Sequence, residues 1–162
     1  MESPRKCKRC NVTKPIKKFE RMVSKKGTIS YRNICRVCNF KQRQEKANSS
    51  PLLFLKRNYS QLKSARKIAG EMLWELSWHD VVEKWIGCSG RCEVSNVEMT
   101  YHRDGTGKKS YTNVSIDRID NNIGYNKKNI RLVCWAVNIM KHNMSDEELM
   151  LWVSRIHEAN RS

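Results

Sequence analysis

A chain of 162 residues with a hydrophobic fraction of 39% has room for one modest core and a small appendage. No apolar stretch is long enough to span a bilayer, and no basic helix carries the wide Trp/Phe/Leu face needed to lie on an anionic membrane, so membrane roles are excluded as first readings. The net charge of +16 is unevenly spread: residues 1–70 hold 20 Lys+Arg against 3 Asp+Glu, and residues 71–162 hold 12 against 13. A basic half of that density repels itself unless it meets a polyanion, so nucleic acid, and double-stranded DNA first, is the expected partner. The segment from Met1 to Cys10 is basic and lacks an apolar run, so no secretory leader is expected and an intracellular location is. Seven cysteines in a reducing compartment read as metal ligands or packing thiols rather than disulfides.

Cys7-x2-Cys10 and Cys35-x2-Cys38 bracket a segment with a turn at Lys26-Gly27 and the β-leaning run Thr28 to Tyr31. Two such knuckles around a hairpin can place four thiolates tetrahedrally, the closed geometry of structural zinc, which contributes folding energy and leaves no position open for catalysis. Ser50-Pro51 and Gly70 mark the start and stop of a helix over 51–69, with Leu52, Leu55, Tyr59, Leu62 and Ala69 on one stripe. Lys56, Arg57, Lys63, Arg66 and Lys67 occupy other faces and are the expected DNA contacts, together with Lys141. Ser77 with Asp80 starts a helix through about Ile86, its Val81, Val82 and Trp85 facing inward, and the Trp and Leu residues of 72–85 belong to the core.

From Cys88 to Val133 the pattern is β-like, with a polar Gly-rich excursion at Asp104–Ser110. Val114 to Ile116 alternates into Asp117, and Asn129 to Val133 alternates into Cys134. A helix follows from about Cys134 to His142, and Ser145 with Glu148 caps a last one, with Leu149, Trp152, Val153 and Ile156 on its buried stripe. An acidic residue ending one strand, a glycine-bearing loop, a second strand and a helix carrying Asn138 can hold one hard metal ion between Asp117 and Asn138. Oxygen ligands of this kind suit Mg²⁺ or Mn²⁺, which share their shell with water and phosphate oxygens. Phosphodiester cleavage is the chemistry this points to.

The run Ser115-Ile-Asp-Arg-Ile-Asp-Asn-Asn-Ile-Gly-Tyr, continued by Asn129-Ile-Arg-Leu-Val-Cys-Trp-Ala-Val-Asn138-Ile-Met-Lys141, resembles the phage-type HNH, or ββα-metal, endonucleases over residues 86–145. The double knuckle, with Lys14-Pro15 and Phe19 between its halves, resembles the zinc module that often precedes such a domain. The resemblance implies that Asp117 and Asn138 ligate the catalytic metal and that Asn129 braces the loop between strand and helix. The chain departs from the family at Arg118, where most members carry the histidine that activates water. Arginine stays protonated and cannot be a base, but it can hold a phosphate oxygen. The base must come from elsewhere: His102 is the first expectation, with Tyr101, His79, His142 and Tyr59 as alternatives. Cys88, Cys92 and Cys134 fall short of a second zinc site because Val137 stands at the fourth position, so Cys92 and Cys134 read as packing thiols.

The expected fold is α+β: a basic four-cysteine zinc module over 1–46, a basic helical connector over 47–86, a ββα-metal nuclease core over 87–145 and a C-terminal helix over 146–162. The resemblance implies a DNA endonuclease with structural Zn²⁺ and catalytic Mg²⁺ or Mn²⁺, acting as a homodimer. A junction-resolving nuclease and a non-catalytic zinc DNA-binding protein are the alternative readings.

Overall fold

The computed structural model describes residues 4–69, 73–102 and 109–161, and the chain divides into two compact units, Met1–Ala47 and Asn48–Ser162. In the first unit a short ladder, β1 (Arg5–Lys6) with β2 (Thr13–Lys14), is followed by a single 3-10 turn at Ile16–Lys18. A hairpin follows, β3 (Phe19–Val23) with β4 (Ile29–Cys35), whose connection is turned by Gly27 at φ +81°. That left-handed backbone costs a glycine nothing, whereas a Cβ would strain it. Helix α1 (Arg36–Ala47) leaves directly from β4. The unit buries little besides Cys7, Phe19, Cys35 and Cys38 at its centre.

The second unit opens with α2 (Pro51–Ala69) and α3 (Trp78–Gly87). Ser50 Oγ accepts from Leu53 N, and Ser77 forms a reciprocal capping box with Asp80, which satisfies amides that a helix start leaves without partners. The buried stripe of α2 centres on Phe54, Leu55 and Tyr59, while Leu52 is exposed, so the inward face is rotated from the one its leucines suggest. Between Cys88 and Asn113 the described residues form turns joined by isolated bridges, Arg91 to Glu98 and Thr100 to Asn113, instead of the continuous β structure expected there. Most of the Gly-rich excursion expected at 104–110 lies outside the described residues.

Then come β5 (Val114–Arg118), β6 (Ile130–Cys134), α4 (Trp135–Lys141) and α5 (Asp146–Ala159). β5 and β6 pair antiparallel with Asp117 opposite Arg131, and the sequence β5, β6, α4 is the ββα order that the resemblance implies. Val114, Ile116, Ile130, Leu132 and Val133 join Phe54, Leu55, Leu76 and Val81 in one apolar core. The loop between the strands is held close by Gly124, where a Cβ would lie 2.2 Å from Leu73 O. That approach lets Tyr125 N donate to Leu73 O and Tyr125 O accept from Glu75 N. Ser145 and Glu148 form the capping box of α5, but beyond Leu149 and Val153 its stripe is open: Trp152 and Ile156 are exposed. No helix is long and apolar enough to cross a membrane among the described residues.

Candidate active site

A cleft of about 520 Å³ runs between α2, the end of β5, the following loop and α4. Asp117 and Arg118 reach it from β5, Asn138 and Trp135 from α4, Asn58 and Arg66 from α2, and His142 from the end of α4. Alternation along β5 is what delivers Asp117, since it turns Val114 and Ile116 into the core and sets Ser115 and Asp117 on the opposite face, where Ser115 meets Asn138 of α4.

Asp117 is buried and held by two cations. Its Oδ2 accepts from Arg131 Nε at 2.9 Å, and Lys141 Nζ lies 3.9 Å from Oδ1. Arg131, 8% exposed, sends its other nitrogens to Asp146 at 2.6 and 2.5 Å, tying the first turn of α5 to the cross-strand pair. Burial disfavours the Arg131 guanidinium, but the hydrogen bonds it donates to Asp146 and Asp117 outweigh it and its pKa rises. The same bonds hold the Asp146 carboxyl below its ordinary value. Asp117, Arg131 and Lys141 are buried together, and Arg131 links Asp117 to the partly exposed Asp146, so each buried charged side chain has an opposite one beside it.

Asn138 Nδ2 donates to Ser115 Oγ at 2.6 Å, which leaves the amide oxygen as the atom available to an ion. One carboxylate oxygen and one amide oxygen on the wall of a single cleft are a hard donor set of the kind that takes Mg²⁺ or Mn²⁺. Arg118 lines the cleft with its Nη1 bonded to Asn121 O at 2.8 Å and Ile123 O at 3.3 Å, and its guanidinium lies 5.2 Å from the Tyr125 ring centre. Asn129 is buried and its side chain bonds to the backbone between the strands: its Oδ1 accepts from Asp120 N, and its Nδ2 donates to Asp120 O, Ile123 O and Gly124 O. The loop it braces therefore joins β5 to β6 and not a strand to a helix.

His102, the first expectation for the base, is exposed, packs at a tilt of 48° against Tyr101 with ring centres 4.3 Å apart, and is not among the residues lining the cleft. His142 does line it. Tyr59 is buried with its hydroxyl donating to Leu76 O, and His79 is exposed 3.7 Å from Glu83. His79, Asp80 and Glu83 lie close together, but Asp80 serves the helix cap and Glu83 pairs with Lys127 at 2.6 Å.

Lys141 cannot contact DNA as expected: it is 0% exposed, and its ammonium donates to Arg118 O at 2.8 Å. It follows Asn138 by three residues on α4, and that spacing turns it under the strand. Lys56 and Lys63 are exposed beside aromatic rings, Lys56 Nζ lying 4.5 Å from the Trp78 ring centre and Lys63 Nζ 6.0 Å from that of Trp74. Arg66 lies 5.9 Å from the Tyr125 ring centre at the cleft wall, Lys67 is exposed, and Arg57 is half-buried. The roles of Arg131 and Asp146 went unnoticed in the sequence, though pairing the two strands symmetrically about Gly124 sets Asp117 against Arg131.

In the first unit the sulfurs of Cys7, Cys10, Cys35 and Cys38 all lie within 4.8 Å of one another. A tetrahedral ion bonded to sulfur at about 2.3 Å needs sulfurs roughly 3.8 Å apart, so the four can close on one ion with little movement. Amides support the cluster: Cys35 N donates to Cys7 Sγ at 3.3 Å and Arg9 N at 3.5 Å. Hydrogen bonds from the Cys10, Cys35 and Arg9 amides draw the Cys7 thiol down to about 6 against its burial, while burial and the neighbouring thiols push Cys38 up to about 12. Lys14 Nζ adds a contact to Cys35 Sγ at 3.5 Å. In the second unit, Cys88, Cys92 and Cys134 do not gather into such a group; Cys92 and Cys134 are buried in the core, and burial pushes the Cys134 thiol up to about 11.

No family model and no curated protein sequence matches the chain. Among solved structures, the chain is similar to the rare-cutting HNH restriction endonuclease PacI, with 20% identity and a TM-score of 0.42 over 96% of this chain and 94% of that one.

Proposed function

We propose that this protein is a metal-dependent DNA endonuclease whose reaction centre is the cleft carrying Asp117 and Asn138. The observation that carries the reading is their meeting: two oxygen donors from separate elements share one cleft whose other charged walls, Arg66, Lys109 and Arg118, are all cationic. A bound Mg²⁺ or Mn²⁺ would stabilise charge on the phosphate and the leaving oxygen. Asp117 is aimed by its hydrogen bond from Arg131, and Asn138 is oriented by Ser115. Arg118, fixed by the 121–123 carbonyls, is pre-organised to meet a phosphate oxygen. His142 takes the water-activating role in this reading because it lines the cleft and His102 does not. The four-cysteine centre holds zinc and stabilises a basic module, and Lys56, Lys63, Arg66 and Lys67 of α2 contact phosphates.

Plasmid nicking with and without added Mg²⁺ or Mn²⁺ tests the reading. Asp117→Ala and Asn138→Ala are expected to abolish cleavage at unchanged DNA affinity, and His142→Ala to slow it by about 10²–10⁴-fold. Arg118→Ala is expected to cost about 10²–10³-fold. A wild-type chain that binds DNA and never cuts it in either metal would overturn the proposal in favour of a zinc DNA-binding protein.

A further inference from the structure

Tyr111 and Trp135 stack beside the candidate active site with ring centres 5.7 Å apart and planes 19° from parallel. Trp135 lines the cleft, with Lys109 Nζ 5.8 Å from its ring centre, while Tyr111 is 67% exposed. The pair is rigidly mounted. Trp135 N donates to Asn113 O at 2.7 Å and Ala136 N to Tyr111 O at 2.9 Å, pinning the 111–113 turn to the start of α4. Asn113 is fully buried, its Oδ1 accepting from Thr100 Oγ1 and its Nδ2 donating to His102 O, so the turn has little freedom to move away.

An isolated exposed tyrosine needs no explanation. A parallel aromatic pair fixed at the rim of a cationic cleft is different, because the next ring to stack on it would be attached to a polyanion. The charged groups along that cleft other than Asp117 are Arg66, Lys109 and Arg118, and this favours a nucleotide over an apolar protein segment or a second copy of the chain. Single-stranded nucleic acid is held in this way, with bases on aromatic faces and phosphates on neighbouring cations.

We propose that Tyr111 and Trp135 form a stacking platform for an unpaired DNA base, so that the favoured substrate carries a single-stranded, bulged or otherwise unstacked nucleotide next to the cleaved phosphate. The proposal rests on the endonuclease reading and deepens it. A base seated on the platform would hold its strand against Trp135 and Lys109, on the wall of the cleft that carries Asp117 and Asn138. Intact duplex, with every base already stacked, gains nothing from these rings.

The test uses the full-length zinc-loaded chain without added Mg²⁺ or Mn²⁺ and three oligonucleotides: a single strand, a perfect duplex and a duplex with a one-base bulge, each with 2-aminopurine at the probed position. Wild type is expected to bind the bulged and single-stranded DNA about 10-fold more tightly than duplex and to quench the probe in the first two. Tyr111→Leu, which keeps an apolar cover over Trp135, should lose the preference and the quenching, and Tyr111→Phe should keep both. Equal affinities of wild type for the three DNAs, or a Tyr111→Leu variant that keeps the wild-type preference and quenching, in a chain that still nicks plasmid with Mg²⁺, overturns the platform alone. A Tyr111→Phe variant as impaired as Tyr111→Leu overturns it too, because the hydroxyl and not the ring would then be at work. If wild type binds none of the three, the endonuclease reading falls with it.

Discussion

Unit Met1–Ala47 has at its centre one phenylalanine and three buried cysteines, with Cys10 packed against them, and carries 15 Lys+Arg against 3 Asp+Glu. Unit Asn48–Ser162 has a continuous core running from Phe54 and Leu55 on α2 to Leu132 and Val133 on β6, a largely buried ion cluster, and 17 Lys+Arg against 13 Asp+Glu. A chain segment of this size cannot bury enough apolar surface to fold on its own core; a four-cysteine cluster that could hold a metal stands where the core would be, and the surface is free to be almost wholly basic. The larger unit bears no such constraint, and it can bury charged side chains near its cleft because apolar packing elsewhere holds the fold together.

The largest effect that would separate the two is metal removal. Structural zinc contributes about 10–16 kcal/mol in small domains, far more than the total stability of most of them. Stripping zinc from the full chain with a chelator, or substituting Cys35→Ser, is expected to leave residues 4–47 exchanging their amide hydrogens freely while 73–102 and 109–161 keep their protection, as read by hydrogen-exchange mass spectrometry. Simultaneous loss in both units would show that they do not stand independently.

Next in size is Arg131→Met, which removes the cation shared by Asp117 and Asp146 and leaves the buried Asp117 only Lys141, 3.9 Å away. Losing one partner of a buried ionic cluster costs about 3–5 kcal/mol. Urea unfolding at neutral pH should register that loss in the larger unit at unchanged zinc content. A variant as stable as wild type would mean the core alone sustains that unit. Ser145→Ala, which removes the cap of α5, is expected to cost about 1 kcal/mol by the same measurement.

The smallest effect is a pH dependence. Asp146 has a folded pKa below 3.8 because of Arg131, so its ion pair contributes stability above that value and loses it as the pH falls through the folded pKa. Partial exposure and solvent screening keep the contribution modest. Melting of wild type and Asp146→Asn from pH 7 to pH 2.5 should show a gap that narrows at the acid end. A gap that is constant with pH would assign the loss to packing.

Local signals account for much that was legible. The reciprocal caps at Ser77 and Ser145, the helix opened by Ser50-Pro51 and the turn at Gly27 are each written in a few adjacent residues. Helix α1 was not legible, since Arg36 to Ala47 has only scattered apolar residues, and Val37 and Phe40 are exposed; Cys38 in its first turn docks it on the cysteine cluster. The inward stripe expected on α5 failed at Trp152 and Ile156, because a periodic apolar face reports only that a helix has two sides and not how far its neighbour extends beneath it.

The sequence by itself determined the cysteine centre, the strand–loop–strand–helix order and the residue types Asp117 and Asn138, because spacing, caps and alternation are properties of nearby residues. Tertiary structure alone decided that Lys141 turns inward to Arg118, that Arg131 joins Asp117 to Asp146, and that His142 and not His102 borders the cleft. Those outcomes depend on how β5, β6, α4 and α5 pack on one another, and whether a charged side chain is buried or solvated is set by what surrounds it in space.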